Sequence, residues 1–135
     1  TGPPGELELA TAVDPLFARV LVVGENRPFS ACLAVVNPVE WQRLASSLGL
    51  DPADAASLNQ PAVHQAALAR IAAQTLNFAR YAMPRAVFLT LVPWTIENTF
   101  MTPTLKIKRN NLMARFAADI DGMYGPAKRK VASSA

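Results

Sequence analysis

With 135 residues the chain has the length of one domain, and a hydrophobic content of 51% excludes disorder throughout and supplies a packed core. The net charge of +3 is uneven: residues 1–100 carry six Arg against eight acidic groups, while residues 101–135 carry seven Lys and Arg against Asp119 and Asp121. Such a basic end attracts a phosphorylated ligand, nucleic acid or an anionic membrane, or is a solvated tail. The single cysteine, Cys32, excludes an internal disulfide; it lies in an apolar run, reads as a buried small hydrophobe and fits a reducing compartment. There is neither a signal-peptide pattern nor an apolar run long enough to span a bilayer. The opening Thr-Gly-Pro-Pro-Gly reads as a chain cut from something longer.

In chain order, Glu6 to Val13 suits a short helix, stopped by Asp14-Pro15. Two apolar β-branched runs, Arg19–Val23 and Ala31–Val36, flank the turn residues Gly24 to Pro28 and predict an antiparallel hairpin. Asn37-Pro38-Val39-Glu40 combines a capping residue, a proline at the first helical position and a glutamate three after the cap. Trp41, Leu44, Ala45 and Leu48 then follow helical spacing up to Gly49. A longer helix starts near Asn59-Gln-Pro61, with Leu68, Ile71, Thr75 and Leu76 as its buried stripe to about Phe78. Ala86–Val92 is a third strand, closed by Pro93. After a long connection a last helix from about Arg109 presents Leu112, Phe116, Ile120 and Met123 on one face and ends at Gly125-Pro126. These elements define an α+β domain with a small antiparallel or mixed sheet and about three to four helices, over residues 1–125. Residues 126–135, with Lys128-Arg129-Lys130, read as a flexible basic tail.

Several chemistries have no support in the residues. His64 is the only histidine and has no second ligand at metal spacing, so it reads as a partly exposed helical residue, and no metal site is expected. Asp119 and Asp121 are two apart on a helix and point away from each other. Asp51 and Asp54 suit capping positions. No G-x-G-x-x-G, phosphate loop or C-x-x-C occurs. The chain is therefore not a self-contained enzyme.

What stands out is Thr102-Pro-Thr-Leu-Lys-Ile-Lys-Arg109, which holds two of the four lysines. Alternation over Thr104–Lys108 predicts Leu105 and Ile107 docked on the sheet, with Thr104, Lys106 and Lys108 facing outward. On these residues alone a plain amphipathic edge strand explains the pattern, its lysines guarding against aggregation. Nucleic-acid binding is the weaker functional reading, because the aromatics fall mostly in core stripes.

Taken with Tyr81-Ala-Met-Pro84-Arg85-Ala-Val87-Phe88-Leu, the run Leu105-Lys106-Ile107-Lys108-Arg109 resembles a motif pair of the AMP-forming acyl-CoA synthetases. In that superfamily's C-terminal domain a Y-x-x-P-R-x-V-x-F strand precedes a G-K-I-x-R element. Pro4-Gly-Glu-Leu7-Glu8 resembles its entry helix, and Asp14 to Gly24 its first strand. Gly24-Glu-Asn-Arg-Pro28-Phe29 and Pro93-Trp94-Thr95-Ile96-Glu97-Asn98 resemble the long-chain fatty-acyl branch. Leu105 stands where the usual pattern has glycine, and the connection from Pro84 to Lys106 is longer than usual; both also resemble that branch. The resemblance covers roughly residues 3–125 and implies the mobile C-terminal lid domain of a long-chain fatty acid–CoA ligase.

It further implies that Lys106 is the adenylation lysine, with Thr104, Lys108 and Arg109 as supporting ligand-binding residues. ATP and CoA would be substrates of the parent enzyme, and Mg2+ is expected in the absent domain; the fragment alone is expected to bind none of these and to be inactive. The implied partners are the N-terminal ATP- and acyl-binding domain, fatty acid, ATP and CoA. Nucleic acid is not expected. The location implied is cytoplasmic, with peripheral membrane contact left open. The competing reading is a non-catalytic module that uses its basic end on an acidic partner, nucleic acid or a membrane.

Overall fold

Asn37 shows how closely local sequence sets an element here. Its Oδ1 accepts hydrogen bonds from the backbone N–H of Val39 (2.9 Å) and Glu40 (3.2 Å), and Pro38 occupies the first helical position. Two of the N–H groups left orphaned at a helix start are thereby satisfied. The computed structural model describes residues 4–134, and side chains except those of Pro4, Tyr81 and 126–134.

The order of elements is α1 (Pro4–Thr11), β1 (Phe17–Val23), β2 (Ala31–Val36), α2 (Pro38–Ser47), α3 (Pro61–Gln74), β3 (Ala86–Thr90), α4 (Arg109–Arg115) and α5 (Ala117–Ser134). Short 3-10 turns lie at Ala55–Ser57 and Arg80–Ala82. The chain divides into two compact units, Thr1–Pro93 and Trp94–Ala135.

In the first unit the strands form one mixed sheet of order β1-β2-β3. The β1–β2 pair is the expected antiparallel hairpin, with Leu21 opposite Leu33. Gly24 closes it at φ 148°; a Cβ there would meet Ser30 Cα at 3.0 Å, so no side chain fits without a shift. β3 returns parallel to β2 after the crossover through α2 and α3, which is what a helical connection between neighbouring strands permits. Val20, Val22, Cys32, Ala34, Val36, Val87 and Leu89 share one core with Leu7 of α1, Trp41 and Ala45 of α2, and Val63, Ala67 and Ile71 of α3. Burial pushes the Cys32 thiol far above its ordinary value, and the Glu8 carboxylate adds to this, so the thiol stays protonated and inert.

Side chains also occupy the sheet's outer edges. Glu8 Oε2 accepts the Val22 N–H at 2.6 Å. Asn59 accepts the Leu89 N–H (2.9 Å) and donates to the Leu89 carbonyl (2.8 Å). Each of these contacts occupies part of an edge and blunts it as a template for a further strand. His64 Nε2 lies 2.7 Å from Asn59 Oδ1, and burial lowers the pKa of its half-buried ring. Because the folded state disfavours the charged imidazolium, this group's contribution to stability is present above the ordinary histidine value. It is lost as pH falls through the lowered one.

Several boundaries differ from the sequence reading. α1 ends at Thr11 rather than Val13, because Asp14 takes over locally: it accepts the Leu16 N–H at 2.9 Å and pairs with Arg70 Nε at 3.1 Å. α3 ends at Gln74 rather than near Phe78. Thr75 is buried and donates its hydroxyl back to the Ile71 carbonyl at 2.7 Å, which leaves Leu76 81% exposed instead of in the buried stripe. β3 stops at Thr90, whose hydroxyl accepts the Val92 N–H.

The second unit carries the last helices, α4 and α5, in place of one. The break falls at Phe116, where φ −106° and ψ 22° interrupt the helix. This break brings the helices described to five where three to four were expected. Leu112, Phe116, Ile120 and Tyr124 form the buried stripe at steps of four; Met123, expected there, is only half-buried beside Tyr124. α5 runs through Gly125 and Pro126 to Ser134. The expectation for the charges of Lys128-Arg129-Lys130 falls outside the described side chains. Among the described residues no helix is long and apolar enough to cross a membrane.

Candidate functional site

The basic segment begins from a loop tied at its base by reciprocal side-chain bonds. Thr95 N–H donates to Asn98 Oδ1 (2.9 Å), Asn98 N–H donates to Thr95 Oγ1 (3.1 Å), and the Thr95 carbonyl accepts both Phe100 N–H and Met101 N–H. Thr99 adopts a left-handed φ of 69°, unusual for a β-branched residue, and its carbonyl accepts Asn111 Nδ2 at 2.7 Å. Met101 and Ile107 then form an antiparallel bridge, and Lys108 N–H reaches the Phe100 carbonyl at 2.9 Å. The Phe100 and Phe116 rings, 6.2 Å apart, join this ribbon to the helical stripe within the second unit.

The ribbon reverses over Pro103-Thr104-Leu105. The Thr102 carbonyl accepts the Leu105 N–H (2.8 Å), and the Thr102 N–H donates to the Lys106 carbonyl (2.8 Å). Proline follows the first turn residue, and Leu105 sits at φ 65°. This is the three-residue hairpin loop in which the third residue is left-handed, a position that favours glycine. The alternating edge strand expected for Thr104–Lys108 is therefore not what forms. Leu105 is 60% exposed, not docked, because the chain turns through it. Ile107, past the turn, is half-buried where it bridges to Met101.

The four residues singled out for chemistry all fall on this hairpin and its exit. Lys106 is exposed immediately after the left-handed residue, and Thr104 is exposed with its hydroxyl 3.1 Å from that of Thr102. Lys108 precedes α4 and Arg109 opens it, both exposed. The hairpin separates them by position: Lys106 belongs to the tip, Lys108 and Arg109 to the root. Thr102, Asn98 and Asn111, which hold the loop, carried no role in the sequence reading. The one local signal was Pro103, which suits the second position of a turn, but it does not say which side chain holds the loop.

Leucine at φ 65° costs roughly 1–2 kcal/mol against a right-handed or extended conformation, and its exposure means little packing offsets that. Replacing Leu105 by glycine is expected to stabilise the chain by about 0.5–1 kcal/mol, after glycine's larger unfolded-state entropy is subtracted. A higher urea midpoint at unchanged slope is the readout.

The other motif run has a structural role in the first unit. The Arg85 N–H donates to the Ser30 carbonyl at 2.8 Å as β3 begins, and its guanidinium lies over the Phe29 ring at 5.6 Å. Both residues line a surface cleft of about 810 Å³ together with Thr75, Phe78, Arg80 and Met83.

This α+β fold is that of the C-terminal domain of adenylate-forming enzymes. The A domain of carboxylic acid reductase from Segniliparus rugosus, solved with AMP and a co-purified carboxylic acid, superposes with a TM-score of 0.74 at 21% identity, covering 92% of this chain and 18% of that one. The adenylation domain of a Mycobacterium chelonae carboxylate reductase gives 0.69 at 24% identity, covering 90% of this chain and 17% of that one. In sequence, the chain's homologues are long-chain fatty acid–CoA ligases. It is 30% identical over 132 residues to long-chain-fatty-acid–CoA ligase FadD15 of Mycobacterium tuberculosis, covering 90% of this chain and 20% of the relative. It is 31% identical over 130 residues to the peroxisomal long chain acyl-CoA synthetase 6 of Arabidopsis thaliana, covering 89% and 18%. The chain thus spans about one fifth of the length of the curated relatives it matches. No family model matches it. The competing reading, a binding module for an acidic partner, finds no support among these relatives.

Proposed function

We propose that the chain is the C-terminal lid domain of a long-chain fatty acid–CoA ligase and that Lys106 is its adenylation lysine. The observation that carries the reading is the placement of Lys106: an exposed ammonium on the tip of a hydrogen-bonded hairpin, able to enter another domain's site. The homology to ligases several times longer supports a larger N-terminal domain that holds ATP and the fatty acid.

In the first half-reaction the fatty carboxylate oxygen attacks the α-phosphorus of ATP. The acyl–O–P bond forms as the bond to the β-phosphate oxygen breaks, and pyrophosphate leaves. Negative charge gathers around the α-phosphate, and a positioned ammonium offsets it. Thr104, Lys108 and Arg109 assist, Thr104 at the tip and the two cations at the root. In the second half-reaction the CoA thiol attacks the acyl carbonyl and AMP leaves. The lid alternates between the two steps and withdraws the Lys106 hairpin for the second. Mg2+, when bound, would supply positive charge that offsets the negative charge of the nucleotide phosphates. Among the described residues no three His, Cys, Asp or Glu side chains gather to hold a cation, so the proposal leaves the ion to the larger domain.

The test is fatty-acid-dependent exchange of labelled pyrophosphate into ATP by the longer protein, with a ladder of chain lengths. Exchange that requires a long-chain acid, together with no acyl-CoA formation by residues 1–135 alone, is the expected result. Absence of exchange with every acid overturns the reading.

A further inference from the structure

Lys106 has a long, flexible side chain, and its usefulness as a point charge depends on where its backbone is held. Thr102 holds that backbone at both ends of the residue. Its Oγ1 accepts the Lys106 N–H at 3.0 Å, and its own N–H donates to the Lys106 carbonyl at 2.8 Å. Its carbonyl accepts the Leu105 N–H at 2.8 Å and its hydroxyl also lies 3.1 Å from that of Thr104, so all three polar groups of Thr102 are committed to Thr104, Leu105 and Lys106. The hydroxyl is the part that a main chain cannot supply. Without it the Lys106 amide loses its partner next to a residue in a conformation that leucine adopts only when its surroundings impose it.

We infer that Thr102 is a positioning residue for Lys106, acting through its side-chain hydroxyl. The inference rests on the role proposed for Lys106. The hydroxyl sets the direction of the Lys106 Cα–Cβ bond, and through it the volume the ammonium samples when the hairpin enters a nucleotide site. Because this hydrogen bond is exposed, water can satisfy the freed amide, and the fold loses little when the hydroxyl goes. Geometry at the ammonium is affected much more, since misplacement of a catalytic group by about 1 Å costs on the order of 10²-fold in rate.

The experiment uses the full-length protein and measures both half-reactions separately. Thr102→Val keeps the branched shape and removes the acceptor. It is expected to lower the adenylation rate constant by about 10- to 100-fold, with KM for ATP and fatty acid little changed. Thioester formation from supplied acyl-adenylate is expected to be unaffected, and Thr102→Ser should restore most of the adenylation rate. In the cycle with Lys106→Ala, the double variant is expected to be no slower than Lys106→Ala alone, since a residue that acts through the lysine has nothing left to position. The inference is overturned if Thr102→Val adenylates at the wild-type rate, if its defect adds in full to that of Lys106→Ala, or if both half-reactions fall equally. If Lys106→Ala itself adenylates normally, the proposed function falls with it; if only the Thr102 variants behave as wild type, that reading stands and this one does not.

Discussion

In the full-length protein, Lys106→Ala is expected to slow acyl-adenylate formation by on the order of 10²- to 10³-fold, the scale of removing one preorganised donor from a developing oxyanion. The reason for so large an effect from one exposed residue is that the charge matters only at the transition state. Fatty acid and ATP are held by the larger domain in the proposed arrangement, so ground-state affinity has little to lose. The loss should appear in the rate constant of the first step, with KM changed by much less. Thioester formation from supplied acyl-adenylate should proceed near the wild-type rate, since in the proposed cycle the hairpin is withdrawn for that step. Lys108→Ala serves as the control. Lys108 sits at the root, immediately before α4, and its removal is expected to cost several-fold at most, by analogy with a charge acting at longer range through solvent. Pyrophosphate exchange reports the first step and single-turnover release of AMP with CoA reports the second. Equal losses at Lys106 and Lys108, or normal exchange in Lys106→Ala, would sink the assignment.

The contrast between these two lysines also marks how far the sequence can be read. Elements whose signals are local were legible: Asn37-Pro38 with Gly49 at φ 72° brackets α2, and the apolar runs of β1 and β2 pair as an antiparallel hairpin. Asp54 was legible as a cap and accepts the Ala56 N–H, while Asp51, also read as a cap, accepts the Ala53 N–H within a turn. The hairpin at 100–108 was not, because alternation describes a side-chain pattern and says nothing about a chain reversal inside it. Proline at 103 and a left-handed residue at 105 override the period of two. The substitution of leucine for glycine concealed that override, since glycine would have announced the turn. The grip of Thr102 on Lys106 was equally invisible: it depends on where a hydroxyl points once the turn has formed. The residues proposed for chemistry were named from a motif, while Thr102, Asn98 and Asn111, which hold their loop, required the fold.

A second large effect is expected in the core, from Trp41→Ala. Trp41 is 2% exposed, belongs to the cluster formed by α1, α2, α3 and the sheet, and places its indole N–H 3.4 Å from the Pro52 carbonyl. Truncation removes most of a large ring from a site walled by several elements that cannot all collapse inward. The expected cost is about 3–5 kcal/mol, which corresponds to a fall in midpoint of roughly 10–20 °C for a chain of this size. Leu76→Ala makes the sharper comparison. Helical spacing placed Leu76 in the buried stripe of α3, but the helix ends before it and leaves it 81% exposed. Its truncation is expected to change stability by less than about 0.5 kcal/mol. The two variants together separate burial from mere hydrophobicity, because both remove large apolar groups but only one of them is buried. Thermal melts followed by far-ultraviolet circular dichroism measure both. A Leu76→Ala loss approaching that of Trp41→Ala would mean that α3 extends beyond Gln74 and buries Leu76 in the folded protein.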